Sequence, residues 1–259
     1  MTSGSDEDIV VSRSDGVAVL MMNRPEAANA LSRRMIAAMD TALAELDRNP
    51  AVRVLILSGA GNHFCAGADL SEMVALTPPD LLETGYVGCS QYLANMRKPV
   101  VAAVTGHAVG GGCELVEMCD IVVAAENARF GHPEAKVGTM SGAGGTQRLT
   151  RLLGRHLAMD VLVAGRLLTA EEACRFGLVS RVVSAANVMA EARAVAGAIA
   201  SLSVPLVALI KEAVNHAGAS LAEGLAFERR MFALTFALAD RLEGMSAFID
   251  KRAPHFIDR

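Results

Sequence analysis

The hydrophobic pattern of the chain alternates between short, continuous apolar runs and longer segments with helical spacing. Residues 9–11 and 17–22 are apolar runs that flank Asp15-Gly16, an arrangement that predicts a β-hairpin with an Asp-Gly turn. Ser32 then precedes a segment whose apolar residues recur every three or four positions, so we expect a capped helix that stops at Asn49-Pro50.

Further along, the same reasoning predicts alternating strands and helices. Apolar runs at 52–57, 100–104 and 121–124 predict strands, and residues 178–183 predict a strand or an extended segment. Thr169 with Glu172 forms a capping-box pattern before a short helix. Helical spacing predicts helices at 80–96, 185–200, 205–216, 221–238 and 240–252. The alternation indicates an α/β fold, and 259 residues suffice for one α/β unit with additional helices.

Composition and charge exclude several classes of partner. The net charge is −4 and no basic run is present, which argues against nucleic-acid binding. No apolar run approaches the ~20 residues that span a bilayer, and the first eight residues are polar and acidic, unlike a signal peptide. The five cysteines form no C-x-x-C pair, so we expect reduced thiols and a cytoplasmic location without a membrane partner.

The segment 98–154 contains the candidate chemistry. A buried strand leads through three consecutive glycines at 110–112 into a helix that carries Glu114 in its first turn, and Glu134 follows Pro133 further on. A glycine-rich turn at a helix start presents free N–H groups, which favour negative charge. Two carboxylates beside such a turn predict an acid–base site. The glycine spacing fits neither a P-loop, nor a dinucleotide fingerprint, nor a nucleophile elbow.

Histidine and cysteine offer no second site by spacing. The six histidines form no metal-ligand motif, so no metal is predicted. We interpret Cys65 and Cys113 as small core residues rather than nucleophiles.

Several motifs, taken in order, resemble the enoyl-CoA hydratase/isomerase (crotonase) superfamily over nearly the whole chain. They are NRP at 23–25, NAL at 29–31, FCAGADL at 64–70, GGGCEL at 110–115, FGHPE at 130–134, GAGGTQRL at 142–149 and EGMSAF at 243–248. The resemblance implies a spiral α/β core of repeated β-β-α units over residues 1–195 and a C-terminal helical trimerisation region over 196–259. It also implies a homotrimer, or a hexamer formed from two trimers.

The resemblance further implies the reversible hydration of a trans-2-enoyl-CoA to a 3-hydroxyacyl-CoA, without a metal, flavin or nicotinamide cofactor. Glu114 would be the base on water and Glu134 the acid toward C2, and the thioester oxygen would bind to the backbone N–H groups of Ala68 and Gly111. Residues expected along the acyl-CoA path are Ala66, Ala68, Asp69, Leu70, Ser71 and Gly111, with Phe248 and Lys251 reaching CoA on a neighbouring subunit.

The sequence departs from the family pattern at three positions near these motifs. Glu117 stands where relatives often carry an apolar residue, His132 where many have glutamine, and Ser141 where proline is common. For His132 we expect a packing role rather than a hydrogen bond near the site, and for Glu117 a surface or salt-bridged carboxylate rather than a third acid. The alternatives are a specialised hydratase for branched, aromatic or carboxylated acyl-CoA, a double-bond isomerase, and a crotonase-fold binding protein without turnover.

Overall fold

Two β-sheets organise the protein, in a computed structural model that describes residues 7–84 and 86–259. The strands of these residues are β1 (Ile9–Ser14), β2 (Val17–Met22), β3 (Val54–Gly59), β4 (Val100–Val104), β5 (His107–Val109), β6 (Ile121–Ala125), β7 (Arg129–Gly131), β8 (Leu168–Thr169) and β9 (Arg181–Val183). The helices are α1 (Arg33–Arg48), α2 (Leu70–Met73), α3 (Pro78–Thr84), α4 (Gly111–Met118), α5 (Gly145–Leu153), α6 (Arg155–Leu162), α7 (Ala170–Arg175), α8 (Val188–Ala200), α9 (Val204–Asn215), α10 (Leu221–Thr235) and α11 (Ala239–Ile249).

The larger sheet has six strands in the order β1-β2-β3-β4-β6-β9. Only the β1–β2 pair is antiparallel, and Asp15 (φ 52°) and Gly16 (φ 78°) make the turn that the sequence predicts. The other pairs are parallel. Strands of a parallel sheet are buried on both faces, which explains the continuous apolar runs at Val54–Leu57 of β3 and along all of β4.

Alternate residues of the central strands pack into two different cores. Leu55 and Leu57 point into the larger core with Met35 and Met39 of α1. On the opposite face, Ile56 belongs to a second core that is covered by α8. The residues that α8 contributes to it are Val188, Ala192, Val195 and Ala196. The predicted boundary between residues 195 and 196 falls inside α8, and the division of the chain into two parts stays a prediction.

The second sheet carries the chain toward the candidate site. Its order is β5-β7-β8, and β5 and β7 are parallel. Strand β4 of the large sheet is followed by β5 of the small sheet and then by α4, which is one β-β-α unit. Strands β6 and β7 repeat the first two steps, and β7 ends one residue before the 3₁₀ turn that begins at Pro133 and contains Glu134. The predicted repeat of β-β-α units is therefore present.

Some predicted boundaries were wrong. The helix predicted at 80–96 is only α3, which begins two residues earlier, because proline is well tolerated in a first helical turn. Beyond position 85, which lies outside the described residues, Gly88 adopts φ 69° and the chain forms a 3₁₀ turn at Leu93–Asn95. Of the segment 178–183, predicted as a strand or an extended segment, only β9 is a strand. The last two helices end three residues earlier than predicted, at Thr235 and Ile249.

Among the described residues, no single helix is long and apolar enough to cross a bilayer. Residues 185–200 and 204–218 pass that test of length and composition only when taken together, across a bend of 109°.

Candidate active site

Helix α4 places the first predicted catalytic carboxyl group. Gly110, with φ 55°, turns the chain from β5 into the helix, and Glu114 lies in its first turn with only 2% of the residue exposed. Its Oε1 accepts hydrogen bonds of 2.8 Å from the backbone N–H groups of Ala143 and Gly145. The glycine-rich segment before α5 therefore fixes the orientation of this side chain.

The second predicted catalytic carboxyl group, Glu134, lies in a 3₁₀ turn that follows β7. Its Oε1 accepts a 2.9 Å hydrogen bond from the hydroxyl of Ser141 and lies 3.5 Å from Nδ1 of His132. Its Oε2 is buried and has no hydrogen-bond partner among the described residues. One oxygen is held by the protein, and the other remains available to a bound molecule.

Two loops bring the predicted oxyanion donors together. An ideal Cβ on Gly111 would lie 3.6 Å from the backbone nitrogen of Ala68, so the two N–H groups are close neighbours. Within residues 7–84 and 86–259, neither N–H group donates to a protein acceptor. Both donors are thus free to bind one oxygen atom.

Two glycines make this close approach possible. Gly67 has φ 95°, and a Cβ there would lie 3.0 Å from the carbonyl oxygen of Val109. A Cβ on Gly112 would lie 2.3 Å from the carbonyl oxygen of Cys65, closer than atoms can approach. Any larger residue at either position would push the two loops apart.

Burial and charge act differently on the two carboxyl groups. Burial raises the pKa of Glu114, although the N–H groups of Gly145 and Ala143 and the charge on His132 oppose the shift. Burial would also raise the pKa of Glu134, but hydrogen bonding to His132 and Ser141 outweighs it and lowers that pKa below its ordinary value. If the two groups share one proton, these directions favour its placement on Glu114 rather than on Glu134.

These groups meet in one cavity of about 320 Å³. Its lining includes both glutamates and four of the residues predicted along the substrate path: Ala66, Ala68, Leu70 and Gly111. The remaining lining is largely apolar and includes Met73, Val87, Val137 and Met140. A preformed apolar cavity with a few convergent polar groups is typical of a small-molecule site.

Asp69 and Ser71, also predicted on the substrate path, are not part of this lining. Asp69 caps α2 by accepting hydrogen bonds from the backbone N–H (3.2 Å) and hydroxyl (2.6 Å) of Ser71. Its other oxygen lies 3.2 Å from Nη1 of Arg24. In the single chain these residues stabilise the loop, and their contact with substrate stays a prediction.

Phe248 and Lys251 are likewise remote from the cavity lining. They lie at the end of α11, where Phe248 is 85% exposed and Lys251 has φ 53°. Their predicted role involves a neighbouring subunit and therefore stays a prediction.

Sequence reasoning missed a buried polar cluster behind Glu134. His132 Nε2 is 2.8 Å from Oε1 of Glu117, whose side chain is only 2% exposed, and Nδ1 is 3.0 Å from the hydroxyl of Ser141. The expected packing role of His132 is therefore incomplete, and Glu117 is a paired but buried carboxylate. A sequence signal was available, because Glu117, His132 and Ser141 all depart from the family pattern. Their contact could not be predicted, because it depends on how β7 and α4 pack.

This cluster overlaps with a group of side chains whose spacing could suit a metal ion. It is the one such group among the described residues. The ligand atoms of Cys113, Glu117 and His132 lie within 4.8 Å of one another. Because His132 is already hydrogen-bonded to Glu117, we interpret the group as a hydrogen-bonded cluster. The cysteine is fully buried, and burial raises its pKa.

Comparisons with known proteins agree with this architecture. The sequence model described as enoyl-CoA hydratase/isomerase matches residues 12–259. A probable enoyl-CoA hydratase of Mycobacterium tuberculosis is 47% identical over 254 residues, which cover 98% of this chain and 99% of that protein. A crotonyl-CoA hydratase of Syntrophomonas wolfei is 40% identical over 257 residues, covering 98% and 99% of the two chains.

Solved structures show the same fold. The crystal structure of an enoyl-CoA hydratase subunit from Geobacillus kaustophilus aligns with a TM-score of 0.93 and 42% identity, over 98% of this chain and 99% of that one. The match in fold and sequence extends over nearly the full length of the chain, including every segment that forms the cavity. The chain therefore belongs to the enoyl-CoA hydratase/isomerase family, with its crotonase-type fold.

Proposed function

We propose that this protein is an enoyl-CoA hydratase, which reversibly adds water to a trans-2-enoyl-CoA and gives a 3-hydroxyacyl-CoA. The observation that carries the proposal is the convergence of two carboxyl groups, Glu114 and Glu134, on a cavity that also contains the free N–H groups of Ala68 and Gly111. The names of the relatives, enoyl-CoA and crotonyl-CoA hydratase, support the same substrate class.

The chemistry requires these parts. Water attacks C3 of the enoyl thioester as one carboxylate accepts its proton, and the other carboxyl group delivers a proton to C2. The thioester oxygen gains negative charge during this step, and two N–H donors stabilise it. The two glutamates together hold one proton before and after the reaction. After hydration that proton lies on the glutamate that acted as base, and it must return to the other glutamate before the next turnover.

The sequence-based assignment makes Glu114 the base and Glu134 the acid, and it stays a prediction. The directions of the two pKa shifts favour the opposite distribution in the free enzyme, with the proton on Glu114. Two neighbouring carboxyl groups titrate as a coupled pair, and bound substrate changes the surroundings of both. The reaction needs one neutral and one ionised carboxyl group in either assignment.

We also propose that the protein assembles as a trimer, or as a hexamer of two trimers. The C-terminal helices expose large apolar side chains, among them Ile210, Leu221, Phe232, Phe236 and Phe248. An apolar cavity of about 720 Å³ lies between α9, α10 and α11. Large exposed apolar side chains beside an apolar cavity are typical of an interface between subunits.

The direct test is hydration of crotonyl-CoA, followed by loss of the enoyl absorbance. Turnover that disappears in Glu134→Gln supports the proposal. Isomerisation of a 3-enoyl-CoA without hydration would instead favour an isomerase. Tight acyl-CoA binding without any conversion would favour the binding-protein alternative.

A further inference from the structure

The buried side chains behind Glu134 form a continuous hydrogen-bonded chain. It runs from Glu117 Oε1 to His132 Nε2 (2.8 Å), from His132 Nδ1 to the Ser141 hydroxyl (3.0 Å), and from that hydroxyl to Glu134 Oε1 (2.9 Å). The histidine is 1% exposed, and the carboxylate of Glu117 is 2% exposed. None of these contacts is needed to explain the hydration chemistry itself.

If both carboxyl groups are ionised, the number of protons in the chain determines the charge of the histidine. A serine hydroxyl has one proton, so if Ser141 donates to Glu134 it must accept from Nδ1 of His132. An ionised Glu117 can only accept, so Nε2 must carry a proton as well. With both ring nitrogens protonated, His132 is an imidazolium between two carboxylates.

The surrounding groups favour this charge. Burial would lower the pKa of His132, but its hydrogen bonds to Glu117 and Glu134 favour the charged ring and raise that pKa above its ordinary value. Glu114 is also close enough to His132 to feel its charge. The ring is held in place from the α5 side, since a Cβ on Gly145 would lie 2.6 Å from its Cε1.

We propose that Glu117, His132 and Ser141 are positioning residues that hold Glu134 in its carboxylate form and fix its orientation in the cavity. Glu117 stabilises the imidazolium, the imidazolium orients the hydroxyl, and the hydroxyl donates to Glu134. The part of this proposal that concerns catalysis rests on the proposed hydration. The charge state of the chain does not rest on it.

If His132 were neutral, the Ser141 proton would turn to Nδ1, and Glu134 would lose both a donor and a nearby positive charge. A nearby opposite charge typically shifts the pKa of a carboxyl group by about 1–3 units. Loss of the imidazolium should therefore raise the pKa of Glu134. Among the described residues, the other charged groups that line a second cavity together with Glu117 are Asp120, Arg148 and Arg151.

The first experiment compares pH profiles of kcat/KM for crotonyl-CoA in the wild type, Glu117→Gln, His132→Gln and Ser141→Ala. Glutamine at 117 can still accept the hydrogen bond but has no charge. The limb that Glu134 controls should move to higher pH by about one unit or more in the first two variants, and less in Ser141→Ala. Glu134 controls the acidic limb of the profile if its ionised form is active, and the basic limb if its protonated form is active.

His156→Gln makes the same chemical change at an exposed histidine and should leave the profile unchanged. Variants that lower activity at every pH without moving either limb would assign the three residues a purely structural role and overturn the proposal. A limb that moves to lower pH would overturn it as well.

The second experiment needs no turnover. Nitrogen-15 NMR of histidine-labelled protein should show one imidazolium at neutral pH that is absent from the His132→Gln spectrum and becomes neutral in Glu117→Gln. A neutral His132 in the wild type would overturn the proposal. This measurement uses the protein without substrate. It can therefore disprove the charge on His132 even if the protein hydrates crotonyl-CoA, and it can support that charge even if the protein does not.

Discussion

The carboxyl oxygen Oε1 of Glu114 accepts a 2.8 Å hydrogen bond from the backbone N–H of Gly145, the first residue of α5. A helix start favours negative charge, so this contact opposes the effect of burial on the same carboxyl group. It also joins two segments of the 98–154 region at the cavity. The acid–base group is consequently placed by backbone contacts rather than by a side-chain partner.

Replacing either catalytic carboxyl group should abolish most hydration. Glu114→Gln and Glu134→Gln keep the shape of the side chain but cannot transfer a proton. Each should lower kcat by at least the ~10²–10⁴-fold contribution of one acid–base group, with the free energy of unfolding largely unchanged. Steady-state kinetics of crotonyl-CoA hydration and chemical denaturation measure the two quantities.

The matched control for these variants is Glu171→Gln, at a residue whose side chain is 84% exposed and remote from the cavity lining. It should hydrate crotonyl-CoA at the wild-type rate. Near-normal turnover in Glu134→Gln would refute the two-glutamate mechanism.

The small residue at position 67 should matter for rate more than for stability. In Gly67→Ala, the new Cβ would lie 3.0 Å from the Val109 carbonyl oxygen and 3.4 Å from the Gly111 nitrogen, so the loop must shift. Displacing one oxyanion donor should lower kcat on the order of 10²-fold. Gly154→Ala is the control, because Gly154 also has positive φ (74°) but nothing within 4 Å of its Cβ position. Equal kinetic effects of the two substitutions would contradict this account.

Asn29 should contribute strongly to stability. It is fully buried with φ 57°, and its side chain bonds to the carbonyl oxygens of Ala60 and His63 and to the N–H of Arg24. Asn29→Ala should reduce the free energy of unfolding by about 1–3 kcal/mol or more, because buried polar groups lose their partners. Urea denaturation measures this loss.

Asn187→Ala removes an exposed asparagine that makes no capping hydrogen bond, and it should change stability by less than about 0.5 kcal/mol. Similar losses in the two variants would mean that Asn29 does not hold the loops together.

Assembly gives a prediction that does not depend on catalysis. Light scattering at working concentration should give the mass of a trimer or hexamer, because the apolar faces of the C-terminal helices need a partner. Phe232→Glu places a charge on an exposed aromatic position and should shift the mass toward the monomer, whereas Glu171→Gln should not. A monomeric wild type would contradict the proposed assembly.

Much of the fold could be predicted because local patterns and tertiary packing agree. The hairpin at Asp15-Gly16, the cap at Ser32 and the capping box at Thr169 with Glu172 are all present in the structure. These signals are local, and each depends on neighbouring residues. The helix predicted at 80–96 was too long because helical propensity alone does not reveal where the chain bends toward the cavity.

The site was predictable only in part for a related physical reason. Glu114 and Glu134 follow glycine and proline turns that are visible in the sequence, and they do line one cavity. The contact between Glu117 and His132 joins residues from different elements, and no periodicity encodes it. Asp69 caps the start of α2, and its position in a motif does not reveal whether it also contacts substrate.

The most direct test of the central claim is a competition between hydration and isomerisation in water enriched in heavy oxygen. Crotonyl-CoA and a 3-enoyl-CoA of matched chain length are assayed at equal concentrations, and products are analysed by mass spectrometry. We predict that hydration is faster and that the 3-hydroxyl group of the product carries the oxygen label, because two carboxyl groups hold the attacking water. Isomerisation that outruns hydration, or a product without label, would contradict the proposed function.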